Sequence, residues 1–313
     1  MNIRYIRVPV ANVWRQPNQV REVDRPSLSD SPDWEQWLHG MSLEERKDLV
    51  GRLESQLLYG EPVIVMKEVN GWVKGVIPDQ YTPKDGRGYP GWIPANQLTF
   101  DPQYHRAWEE KPLAYVTADE TRLNPEGENK SLNISFMTKL PRVGESDGKA
   151  IVLLPDSNTG RVPLKDVTIA RQLPISGGLQ RIANARRFLG LPYLWAGMSS
   201  RGFDCSGFMY RIFEAGGIRI PRDADIQARY GTKVSRQGLE PGDLVFFAHE
   251  QGRGRIHHVG MYIGEDRFIH SPNTGNPVRV NRMTDKPYCE EFCGGSRYHG
   301  TEIFDDENRN HLR

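Results

Sequence analysis

Two eight-residue segments of this chain share one pattern, and the pattern limits what the first half can become. GWIPANQL at 91–98 and GRVPLKDV at 160–167 both read Gly-x-β-branched-Pro-x-x-x-aliphatic. Each closes a region of short apolar runs separated by Gly, Pro and Asn turns. The regions also open alike, with VANVWRQPN at 10–18 and VTADETRLNPEG at 116–127. Short, evenly spaced strands with this turn chemistry build small β-barrels. The reading is two tandem barrels, at 1–110 and 111–172.

The first unit is interrupted. SPDWEQWLHG (31–40) and SLEERKDLVGRLESQLLYG (42–60) read as helices. In the second, Ser42 with Glu45 makes a capping box, and Leu49, Leu53 and Leu57 recur at helical spacing. Glu54 then lies at the end of the inserted helix. Such an insertion either covers an open sheet edge or forms a wall of a neighbouring cleft.

From about 173 the character changes. GGLQRIANARRFLGLPYLWAG is an amphipathic helix with Ile182, Ala185 and Phe188 on one face, ended by Gly190 and Pro192. A second helix is expected over 205–215, with Phe208, Ile212 and Ala215 inward and Gly216-Gly217 stopping it. Strands are expected at 242–248, 257–264, 267–271 and 277–281, with a hairpin turn at Gly264-Glu265-Asp266. Helices followed by antiparallel strands make an α+β domain, here 173–313.

Charge narrows the partners. Lys and Arg number 41 against 40 Asp and Glu, so no basic surplus points to nucleic acid. No apolar run approaches the roughly 18 residues that span a bilayer. The start, MNIRYIRVPVANVWRQP, has neither an apolar signal core nor a small-residue cleavage site, and the expectation is a cytoplasmic protein, or a periplasmic or extracellular one if a leader has been removed. No histidine has the close-spaced partners of a zinc site, and no glycine-rich loop follows a strand with nucleotide-binding spacing. No metal or cofactor is expected.

Three cysteines do not make a disulfide framework. Cys289 and Cys293 could pair or simply pack, which leaves Cys205, in RGFDCSGFMY. Cysteine is often a buried small residue, but this one stands at a predicted helix start. The partial positive charge there favours a thiolate and is expected to lower its pKa. A cysteine nucleophile also needs an imidazole and a group to orient it. His258 and His270 lie on successive predicted strands joined by a short turn, so both can reach one sheet face beside that helix start. His257 and His258 are adjacent in a strand and face opposite sides, so only one can meet the sulfur. His249, among glycines, is expected to face solvent.

YLWAGMSSRGFDCSGF, HHVGMYIG and FIHSP, in that order, resemble the NlpC/P60 cysteine peptidases over about 175–300. PRDADIQ (221–227) and PGDLVFF (241–247) fall where that family has its Pro-Arg…Gln and Pro-Gly-Asp-Leu segments. The resemblance implies a papain-like fold, with Cys205 as nucleophile, His258 as base and His270 as orienting residue. It also turns the Tyr193 hydroxyl toward the cleft and makes Ser206 a substrate-side residue. The two leading barrels resemble bacterial SH3-like modules. The whole arrangement resembles a subgroup that cuts peptidoglycan stem peptides between γ-D-glutamate and a diamino acid, lysine or diaminopimelate. That subgroup acts on peptides with a free N-terminal L-alanine and releases L-Ala-D-Glu for recycling. By the same resemblance Asp223, Glu54 and Tyr89 read the free amine. Asp223 has a second reading as an ordinary negative charge at a helix start. Ala224 departs from the serine common in the family. The main alternative is a remodelling hydrolase on polymeric wall, with the barrels as anchors; a wall-binding protein without activity is a third.

Overall fold

The computed structural model describes residues 2–127 and 130–304, so positions from 305 onward in the third expected domain lie outside the described residues. Two seven-stranded antiparallel sheets come first. The strands of the first lie in the order Leu53–Leu58, Val10–Trp14, Tyr89–Pro94, Trp72–Ile77, Pro62–Val69, Ile3–Ile6, Leu98–Thr99. Those of the second run Leu132–Ser135, Glu120–Pro125, Thr159–Pro163, Lys149–Leu153, Lys139–Ser146, Leu113–Val116, Val167–Ala170. Both sheets therefore place their strands third, second, sixth, fifth, fourth, first, seventh. The repeated sequence segment has the same job in each. Its proline, Pro94 or Pro163, ends the sixth strand because it cannot donate to a ladder. A single 3-10 turn, Ala95–Gln97 or Leu164–Asp166, then feeds the seventh strand.

Residues 15–52 fill a connection that spans only 126–131 in the second sheet. Its α-helices are Trp34–Gly40 and Leu43–Lys47, and the Ser42–Glu45 capping box forms in both directions. The second helix is much shorter than the leucine spacing implies. The chain turns at Gly51 (φ +82°), and Leu53–Leu58 is a strand. Leu49, Leu53 and Leu57 are all buried, yet the inference of a continuous helix fails. Four residues is also an even number of strand steps, so the same interval keeps Leu53 and Leu57 on one face of a strand. Glu54 is thus the second residue of a strand, not the last of a helix.

The C-terminal part packs helices Gly178–Arg186 and Cys205–Ala215 against a six-stranded antiparallel sheet. Its strand order is Thr232–Val234, Phe292–Arg297, Leu244–Ala248, Ile256–Gly264, Arg267–His270, Arg279–Arg282. Glu265 and Asp266 both take positive φ (52° and 55°), the conformation a tight hairpin between right-twisted strands requires. Ile182, Ala185, Phe188, Phe208 and Ile212 are buried, and Ala215 is half-buried.

The three parts share one interior. Trp14, Trp34, Trp37 and Leu53 of the first part belong to the same buried cluster as Phe188, Phe203 and Phe208. Trp195 Nε1 donates to the Leu53 carbonyl at 3.0 Å. A buried ion network closes the junction. Lys139 of the second sheet pairs with Asp79 of the first part at 2.9 Å and with Glu214 of the Cys205 helix at 3.1 Å. Arg211 joins Glu214 at 2.6 Å to Glu61 at 2.9 Å.

Candidate active site

Asp204 is the N-cap of the Cys205–Ala215 helix, and its Oδ1 accepts from the Gly207 N–H at 2.6 Å. Cys205 is therefore the first helical residue, and its own N–H has no partner within the helix. A side chain at Gly207 would collide with the Gly197 carbonyl, 2.1 Å from an ideal Cβ, so glycine lets the helix start seat against that turn. Asp204 also receives Arg222, from Nη2 at 2.6 Å and Nη1 at 3.2 Å. Arg222 is fully buried and reaches on to Ser206 Oγ at 2.9 Å and to Ser55 Oγ, in the first sheet, at 3.0 Å. The Ser206 hydroxyl is held within this network. Arg222 had no role assigned from the sequence, although it lies inside PRDADIQ.

The backbone N–H groups of Val259 and Ser206 lie beside the sulfur and favour its anion. The expected lowering of its pKa does not occur. Burial, with the negative Asp204 beside it, pushes the thiol up to about 12 against those amides and Arg222. The resting thiol carries its proton, so Cys205 could act as a nucleophile only with a base to take that proton as attack occurs.

His258 is the candidate base: it adjoins Val259, whose backbone amide lies beside the sulfur and favours its anion. It is buried, whereas His257 faces outward, stacks on exposed His249 (4.1 Å between centroids) and meets Glu291 at 3.2 Å. His258 Nε2 lies 2.7 Å from His270 Nδ1, and His270 Nε2 lies 3.0 Å from Asn281 Oδ1. The protons on this chain can be placed. Asn281 Oδ1 accepts from Arg279 Nε at 2.9 Å, while its Nδ2 donates to Asp285 Oδ2 at 2.9 Å, which fixes the amide's orientation. His270 must therefore donate through Nε2, and its Nδ1 accepts from His258 Nε2–H. That leaves His258 Nδ1 unprotonated, the nitrogen free to take the thiol proton. Asn281 closes the expected strand PVRVN but was given no role there.

Gly260 explains how two imidazoles meet across this hairpin. An ideal Cβ there would stand 2.7 Å from Phe268 Cδ2 and 3.1 Å from His270 Cβ. Phe247, Phe268 and Tyr288 wall the pair in, with ring centroids 5.7 Å from His258, 4.5 Å from His270 and 5.2 Å from His270 respectively. Burial and neighbouring positive groups hold His258 well below the usual histidine range. Both rings are neutral near pH 7.

Tyr193 is buried close to Cys205, and burial with that neighbour keeps its phenol protonated. It lines a cavity of about 290 Å³ together with Leu43, Arg46, Pro192, Asn276 and Pro277. The inserted helix Leu43–Lys47 thus contributes to a cavity wall.

Asp223, Glu54 and Tyr89, far apart in sequence, come together. The Tyr89 hydroxyl lies 3.2 Å from both Asp223 carboxylate oxygens and 3.1 Å from Glu54 Oε2. Asp223 is the N-cap of Ala224–Gln227 but makes no side-chain cap bond, so its carboxylate serves the cluster rather than the helix. Burial pushes its carboxyl up, against the pull of Arg222 and Lys84. Ala224 opens that short helix with no hydroxyl to offer. Cys289 and Cys293 are exposed free thiols, and no three His, Cys, Asp or Glu side chains among the described residues are grouped to hold a metal. No helix among the described residues is long and apolar enough to cross a membrane.

Residues 190–297 match the model of the NlpC/P60 family, and residues 116–169 match that of the YKFC SH3b2 domain. A Bacillus cereus protein named gamma-D-glutamyl-L-lysine dipeptidyl-peptidase is 39% identical over 94% of this chain and 90% of its own length. The chain belongs to the NlpC/P60 family of cysteine peptidases. A Bacillus subtilis protein of the same name is 38% identical, over 92% of this chain and 96% of its own. The crystal structure of an NlpC/P60 family protein from Bacillus cereus superposes with a TM-score of 0.92 at 38% identity, covering 95% of this chain and 99% of the other.

Proposed function

We propose that this enzyme hydrolyses the bond between γ-D-glutamate and an L-diamino acid in peptidoglycan stem peptides that begin with a free L-alanine, releasing L-Ala-D-Glu. Support comes from the cluster of Glu54, Tyr89 and Asp223. Two carboxylates bridged by a phenol at the edge of a cysteine-peptidase site form an acceptor set for an ammonium ion. The cluster is tied to the nucleophile through Arg222, next to Asp223 in sequence and bonded to Asp204 and Ser206 on either side of Cys205. The names of the Bacillus relatives agree with this reading.

The chemistry follows from the proton placement. His258 Nδ1 takes the Cys205 proton as the sulfur attacks the γ-glutamyl carbonyl, and the Cys205 N–H faces the developing oxyanion. The protonated imidazole then gives that proton to the leaving amine as the C–N bond breaks, forming a thioester. Water, deprotonated by the same histidine, cleaves the thioester and restores the thiol. Polymeric wall has no free L-alanine amine, so the substrates are peptides already cut from the glycan, and we place the reaction in the cytoplasm. Mass spectrometry of L-Ala-γ-D-Glu-diaminopimelate after incubation tests the assignment. L-Ala-D-Glu and free diaminopimelate are expected; release of free alanine, or of peptide fragments from intact wall alone, would contradict it.

A further inference from the structure

The ammonium seat is already filled. Lys84 Nζ lies 2.8 Å from Glu54 Oε2, 2.6 Å from the Tyr89 hydroxyl and 3.8 Å from Asp223 Oδ2. It also stands over the Tyr89 ring, 4.3 Å from the centroid. A primary alkylammonium thus engages all three groups assigned to the substrate's α-ammonium.

The loop that carries Lys84 is an elaboration of the first sheet. Residues 78–88 join its fifth and sixth strands, and the matching connection in the second sheet is only 154–158. The longer loop occurs in the copy whose strands supply Glu54 and Tyr89. Its lysine side chain is 46% exposed, so the ammonium can withdraw into water without crossing a packed interior. The carboxylates it leaves are less free: the Glu54 side chain is 17% exposed and that of Asp223 27%. Arg15 Nε stays 3.4 Å from Glu54 Oε1, but Glu54 Oε2, the oxygen that faces the Tyr89 hydroxyl, has Lys84 as its cation.

We propose that Lys84 is an internal competitor for the amine subsite, a tethered ammonium that occupies Glu54, Tyr89 and Asp223 until the substrate's α-ammonium replaces it. This rests on the amine-end reading above. Two ammonium groups cannot share Glu54 Oε2 and the Tyr89 hydroxyl at hydrogen-bond distance without close like-charge contact. Binding is therefore an exchange of one cation for another, and Lys84 sets the affinity at which free-amine peptides are taken.

Steady-state kinetics of Lys84→Met and Lys84→Arg on L-Ala-γ-D-Glu-diaminopimelate, beside the wild type, test this. Removing the competitor is expected to lower KM and raise kcat/KM about three- to tenfold, the scale of a partly exposed ion pair with charged hydrogen bonds. Lys84→Arg keeps a cation that pairs with carboxylates at least as well, so no rise in kcat/KM over the wild type is expected. A fall in kcat/KM for Lys84→Met would mean that the lysine helps to hold substrate, and would overturn the proposal. So would an equal rise in both variants, because the charge would then be irrelevant. The wild-type ratio for free against N-acetylated tripeptide separates the two claims. A large ratio with a falling Lys84→Met value leaves the amine reading standing and removes only the competitor; a ratio near one overturns both.

Discussion

His258 and His270 meet nitrogen to nitrogen at 2.7 Å, and only one hydrogen lies between them. Its owner is decided by Asn281, which accepts from the far side of His270 at 3.0 Å. His258→Ala should lower kcat about 10³- to 10⁴-fold, the range for losing a positioned general base. His257→Ala, on the outer face, should stay within about threefold. His270→Ala should cost less than His258→Ala, because it orients the ring rather than moving the proton. Asn281→Ala should lower kcat about tenfold. Nitrogen-15 NMR should then show His270 losing its fixed Nε2–H tautomer. An unchanged tautomer in that variant would contradict the proton chain.

Gly260 gives a steric test of the same geometry. Gly260→Ala places a methyl 3.1 Å from His270 Cβ and 2.7 Å from a Phe268 ring carbon. The hairpin must open by a few tenths of an ångström, and the two imidazoles separate. A loss of about tenfold or more in kcat is expected, with a stability cost of about 1–3 kcal/mol by urea denaturation. Wild-type kcat in this variant would show that the ring contact is not needed.

Acid should be tolerated better than an ordinary histidine base allows. At pH 6 a histidine with the usual value is about three-quarters protonated. Here burial and positive neighbours lower His258 well below 6.5, and burial, against Asn281 and with Arg279, takes His270 to about 4. The histidine pair therefore stays neutral and kcat/KM, which reports groups of the free enzyme, should show no histidine limb from pH 7 to 6, falling only when acid reaches the depressed value. With the thiol pushed up to about 12, kcat/KM should not climb through pH 9 as thiolate accumulates. A kcat/KM profile with an acid limb centred near 6.5 would contradict this site description.

Lys139 should matter far from the chemistry. It is 9% exposed and faces Glu214, which is 14% exposed, across the junction of the second sheet and the Cys205 helix. Lys139→Ala leaves Glu214 and Arg211 with an unbalanced buried network and should cost about 3–5 kcal/mol in urea unfolding. A loss below about 1 kcal/mol would mean that the shared apolar core alone holds the three parts together.

The chemistry-bearing end of this chain was legible in its sequence because its signals are local. Cys205 sits where Asp204 caps and Gly216 stops a helix, and strand alternation separates His258 from His257. The inserted segment misled because leucines four apart satisfy a strand as well as a helix; only the positive φ at Gly51 decides between them. The thiol's upward shift was hidden for a different reason. A helix start favours the thiolate, but the opposing burial depends on how the sheet closes over the sulfur. Arg222, Asn281 and Lys84 act through partners 10 or more residues away in the chain, such as Ser55, His270 and Glu54, and no spacing rule reports such pairs.

The most direct test of the account is one ratio: kcat/KM for L-Ala-γ-D-Glu-diaminopimelate over that for its N-acetylated form. An ammonium held by Glu54, Tyr89 and Asp223 contributes on the order of 1.5–3 kcal/mol through charge-assisted hydrogen bonds. An acetyl group removes that charge and adds bulk against the same side chains. At roughly tenfold per 1.4 kcal/mol, the ratio should be about 100 or more, and Asp223→Asn should narrow it. Equal values for the two peptides would contradict amine-end recognition and favour an enzyme that remodels intact wall.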